Sequence, residues 1–84
     1  SARSAMDAGK AQQIVLVGQK ALADCLAGRE GGMLAAVFRR MPPRARMLAD
    51  EIFVESQDAL QAQVNPLLVL DTMAARLHVL AKRR

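Results

Sequence analysis

The chain has 84 residues, one cysteine, two aromatic side chains (Phe38 and Phe53) and a net charge of +4. That is room for one small domain or a piece of a longer chain. A single cysteine excludes an internal disulfide and any zinc site built on several thiolates. No apolar run reaches the length of about 18 residues that a membrane-spanning helix needs.

Apolar residues make up 52% of the sequence, but they are mostly Ala, Leu, Val and Met, which suit helices packed on helices. Only Ile14 to Val17 is dense in β-branched residues. The expected fold class is therefore all-α, a bundle of about four helices. A domain this short buries only about 60% of the surface its unfolded chain exposes, so a partner surface would add to its stability. The lone cysteine fits a reducing cytoplasm, which is the expected location.

The first nine residues, SARSAMDAG, lack an apolar core and cannot be a secretory signal. They read as a leader or tag-like segment ahead of a single helical domain over 10–84. The first helix is predicted over 7–27, with Ser4 and Asp7 three residues apart as a capping box. Ala11, Ile14, Val15, Gly18, Ala21, Leu22, Cys25 and Leu26 recur along one face. Gly18 and Ala21 would let another helix approach closely, and Gly28 stands where a left-handed C′ residue is wanted.

After Gly31-Gly32 a second helix is predicted over 32–41, with Met33, Leu34, Val37, Phe38 and Met41 inward. Pro42-Pro43 ends it, because proline lacks the backbone donor and restricts the residue before it. The third helix is predicted over 43–63, starting on Pro43. Leu48, Ile52, Phe53 and Leu60 face inward, joined by Met47 and Val64, while Asp50, Glu51, Glu55 and Asp58 form a solvated outer face. Arg46 and Asp50, four apart, are spaced to pair.

Asn65-Pro66 reads as a helix start, not a kink. An asparagine side chain accepts from early helical amides, and proline suits the first helical position. The fourth helix is predicted over 66–82. Leu67, Leu70, Met73, Ala74, Leu77, Leu80 and Ala81 form one stripe, and Lys82, Arg83 and Arg84 complement the helix dipole. Within that stripe Leu67, Leu70, Met73, Leu77 and Leu80 are the candidate partner interface.

Catalysis needs convergent polar groups, and the sequence supplies none at a telling spacing. His78, the only histidine, lies between Leu77 and Val79 and reads as a structural or surface residue. Cys25 sits on an apolar face and reads as an inert thiol. The acidic set has no Glu-x-x-His companion for a metal, and the glycines match no phosphate loop. No enzyme, metal or cofactor is expected. Arg39, Arg40, Arg44 and Arg46 cluster around the Pro-Pro corner and are the candidate phosphate or nucleic-acid contacts. Ala27, Gly31 and Val37 have the spacing of a helix-turn-helix, but Glu30 and Arg40 occupy positions that motif keeps apolar.

The stretch Ala45 to Leu77, ARMLADEIFVESQDALQAQVNPLLVLDTMAARL, resembles the closing helix pair of the collar domain in bacterial clamp-loader subunits of the delta prime or gamma/tau type. Those subunits end in a long helix, an Asn-centred turn and a leucine-spaced helix, an outline followed here by Asn65, Leu68, Leu70, Met73 and Leu77. The family's collar usually has about five helices, against four here. The resemblance implies a non-catalytic domain that holds protein subunits together in a ring that loads a sliding clamp during DNA replication. Two other readings stand beside it. One is a small basic helical protein contacting DNA through the arginine corner; the other is a helical adaptor or chaperone gripping a partner helix in a Met- and Leu-lined groove.

Overall fold

The computed structural model describes residues 6–82. Four helices follow one another: α1 (Ala8–Leu26), α2 (Gly32–Arg40), α3 (Pro43–Gln61) and α4 (Pro66–Lys82). No strand occurs among the described residues, so the fold is the all-α four-helix bundle expected from composition and periodicity.

The helix boundaries follow local chemistry. Asp7 is itself the N-cap of α1, its side chain accepting from the Lys10 amide at 2.8 Å; Ser4 lies outside the described residues. At the other end Gly28 has φ +77°. The amide of Arg29 donates to the Asp24 carbonyl and that of Gly28 to the Cys25 carbonyl, which is the paired bonding of a Schellman cap. Pro42 caps α3 and Pro43 opens it. Asn65 Oδ1 accepts from the amides of Leu67 (2.9 Å) and Leu68 (3.3 Å), so Asn65-Pro66 is a capped helix start.

The end of α3 departs from expectation. The helix stops at Gln61, two residues early, because Gln63 adopts φ +64°. Its amide donates to the Leu60 carbonyl and that of Val64 to the Ala59 carbonyl. This is a second Schellman cap, with a glutamine where glycine is usual.

α1 packs against α2, α3 and, over a smaller area, α4, while α3 and α4 pack along each other. The core is built on small residues. Ala11, Ala21, Ala35, Ala45 and Ala49 are buried, beside Val15, Leu22, Phe38, Met41, Ile52, Phe53, Leu60, Val69, Met73 and Leu80. Phe38 and Phe53 meet edge to face, ring centroids 6.0 Å apart, the favourable arrangement for aromatic quadrupoles. Gly18 lies under the Phe53 ring; a Cβ there would fall 2.6 Å from Cε1.

Several inward assignments need correction. On α2, Ala35 is buried while Met33 is 88% exposed, and Leu34 and Val37 are open to solvent. On α3, Ala45, Ala49 and Ser56 take the core positions, leaving Met47 and Leu48 outside. On α1, Ile14 and Leu26 are exposed and Asp24 is buried. On all three helices a small or polar residue takes an inward position and larger apolar neighbours lie outside. Of the segment read as a leader, only residues 6–9 are described: Met6 packs against the core, Asp7 caps α1, and Ala8 and Gly9 belong to it.

Candidate protein-docking groove

All four helices contribute to one apolar groove. It is lined by Ile14, Val17 and Gly18 of α1, Leu34 and Phe38 of α2, Phe53 of α3, and Met73 and Leu77 of α4. Its volume is about 250 Å³, and no ionisable or hydroxyl-bearing side chain lines it. Helix lengths explain why it is open. α2 has 9 residues against 19 in α1, so it covers about half of its neighbour. α2 and α4 hardly touch. Beyond α2 the flank of α1 is bare, and Val17 is 62% exposed. Such a surface has no hydrogen bonds to offer, so it suits apolar side chains of another helix.

The candidate interface stripe on α4 divides into two parts. Met73 and Leu80 are buried in the core, with Val69 as their companion, and Leu70 and Leu77 are half-buried. Leu67, by contrast, is 55% exposed. Ala74 and Ala81 are exposed as well. The stripe thus straddles the core and the groove's outer shoulder.

The arginine corner also divides. Arg39 Nη1 donates to the carbonyls of Arg29 (3.2 Å) and Glu30 (2.9 Å). Arg46 Nη1 donates to the carbonyls of Met41 (2.8 Å) and Phe38 (3.4 Å). Arg39 thus binds the connection that leads into α2, and Arg46 binds carbonyls at its C-terminal end, where helical carbonyls run out of backbone donors. Arg46 makes no ion pair with Asp50; its guanidinium is held by α2 instead. Arg40 and Arg44 are exposed and make no such bond among the described residues. Two of the four therefore remain wholly available to an outside anion.

Beneath the α1–α2 corner, Asp24 accepts from Arg29 Nε at 2.8 Å and Lys20 Nζ at 3.4 Å. The Arg29 hydrogen bond, with help from Lys20, outweighs desolvation and holds the carboxyl below its ordinary value of 3.8. Gly31 closes the corner at φ +67°, where a Cβ would fall 2.8 Å from Asp24 Cβ. Sequence reasoning missed this buried aspartate, although the neighbouring bases at positions 20 and 29 were its signal.

Of the outer acids, Glu55 accepts from Arg76 Nη1 of α4 at 2.6 Å, an exposed pair across the α3–α4 seam. His78 is exposed and Cys25 half-buried. Among the described residues no three histidine, cysteine or carboxylate side chains are placed to hold a metal ion. No helix among them is long and apolar enough to cross a membrane. No protein-family model matches the chain, and neither a curated protein nor a solved structure is similar enough to match it.

Proposed function

We propose that this chain is a non-catalytic helical interaction domain whose working surface is the groove between α1, α2 and α4. The observation that carries this reading is a groove walled by all four helices with apolar side chains only, of which Ile14, Val17 and Leu34 are exposed. Contiguous apolar surface of this kind on a small domain marks a place where protein covers protein. The resemblance of Ala45 to Leu77 to a clamp-loader collar supports a finer version, in which the domain joins subunits of a replication clamp loader. The long helix, Asn-centred turn and leucine-spaced helix of that resemblance correspond to α3, Asn65 and α4.

Contact with DNA through Arg40 and Arg44 is the competing reading. The two are separated by placing a photoreactive residue at Val17 in one sample and at Arg44 in another, in cells expressing the chain. A protein adduct at Val17 and no nucleic-acid adduct at Arg44 is expected. Nucleic-acid adducts at Arg44 with none to protein at Val17 would overturn the proposal. A duplex titration of the purified chain at low and high salt gives the same distinction, because phosphate contacts weaken steeply with salt.

A further inference from the structure

We infer that α2 is a lid: it lifts off α1 and unwinds while α1, α3 and α4 stay packed. The three long helices close on one another, each packing against the other two, whereas α2 packs on α1 and only slightly on the rest. Those three supply Val15, Ile52, Leu60, Val69, Met73 and Leu80 to the core; α2 supplies Ala35 and Phe38. Met33, Leu34 and Val37 of α2 are exposed already, so its release gives up few buried side chains.

Two arginines latch the lid. Arg39 ties α2 back to the Arg29 and Glu30 carbonyls of the connection before it. Arg46 of α3 holds the Phe38 and Met41 carbonyls at its far end. The second latch is imperfect: Arg46 Nε is buried with no hydrogen-bond partner among the described residues. The closed form therefore carries a desolvated donor that opening returns to water. The connections can follow the movement. Gly31 and Gly32 open the helix at φ +67° and +79°, and a Cβ on Gly32 would meet nothing within 4 Å. At the other end Met41 is already extended, ahead of Pro42. A helix of 9 residues does not sustain itself in water, so leaving α1 means unwinding. With α2 lifted, Leu34 and Phe38 leave the groove's lining and the Phe53 ring loses its edge-to-face neighbour. The lid thus sets the groove's width, a consequence that rests on the groove being a docking site; the opening itself does not.

The test is amide hydrogen exchange, read by NMR on the whole free chain in rising urea below its unfolding transition. After correction for intrinsic rates, the amides of residues 36–40 are expected to exchange at least about tenfold faster than those of Val15, Ile52 and Met73. Their rates should also depend less steeply on urea, the mark of an opening smaller than global unfolding. Arg46→Met, and Arg39→Met at an exposed position, are each expected to speed exchange of 36–40 by about a further tenfold and to leave Ile52 and Met73 unchanged. Residues 36–40 that share the rate and urea slope of Val15 and Met73 overturn the inference. So does acceleration spread evenly over all four helices in the Arg39→Met protein, whose fold does not depend on a buried side chain. Uniform exchange with a protein adduct at Val17 overturns the lid and leaves the docking groove standing; early exchange of 36–40 with no such adduct does the reverse.

Discussion

Replacing Gly18 by alanine sets two effects of known size against each other at the floor of the groove. Inside an exposed helix the change would stabilise by about 1 kcal/mol, because glycine loses more backbone freedom on folding. At this site the new methyl would lie 2.6 and 2.7 Å from Cε1 and Cζ of Phe53, so the ring must retreat by roughly 1 Å to reach normal contact. It has little room to do so. Phe53 is 1% exposed and stands edge-on to Phe38, itself 1% exposed. Overpacking of a core typically costs about 1–3 kcal/mol, and a ring held on both sides belongs in the upper part of that range. The net expectation is a loss of about 1–2 kcal/mol, which lowers the melting temperature by roughly 5–15 °C in a domain of this size. Circular-dichroism melts of four proteins measure it: wild type, Gly18→Ala, Phe53→Leu and the double variant. In the Phe53→Leu background the alanine should stabilise, with a coupling of about 2 kcal/mol between the sites. A Gly18→Ala protein that melts above wild type would refute the argument, because the Phe53 ring would then not be confined as described.

Two further outcomes follow from the helix ends. Gln63 holds φ +64°, a conformation that costs an L residue roughly 1–2 kcal/mol and glycine little. Gln63→Gly should therefore stabilise by about 0.5–1 kcal/mol in urea denaturation, and a loss of stability would show that the glutamine side chain has a role at the turn. Asp24 concerns pH: its folded pKa lies below 3.8, so the unfolded chain binds more protons between the two values. Its contribution is complete above 3.8 and is lost as pH falls through the folded value. Acidification below that point should destabilise wild type more than Asp24→Asn, and equal slopes in acid melts would contradict the Arg29 pairing.

Much of the bundle is legible in the residue order because its punctuation is local. Gly28, Pro42-Pro43 and Asn65-Pro66 each act within one turn of helix, and all three boundaries are where those residues place them. Which apolar stripe faces inward is a different matter. Met33 and Leu34, or Met47 and Leu48, satisfy the helical period as well as Ala35 or Ala49 do. The choice is made by how closely the neighbouring helix approaches, a property of the pair rather than of either sequence. The arginine corner shows the same limit: the carbonyls that hold Arg39 lie nine and ten residues back in the chain, a separation that helical periodicity does not read. The groove is less visible still, since it exists because α2 and α4 stay apart.

The brevity of α2 sets what the protein can be. With 9 residues beside a helix of 19, it falls about 15 Å short of α1, close to three turns, and Ile14 and Val17 stay exposed. A helix of about ten residues would match that shortfall. The shortfall is also a statement about trade. Were α2 extended by two turns, the chain could cover Ile14 and Val17 with its own side chains and stand more stably alone. The proposed docking groove would then be filled by the chain itself.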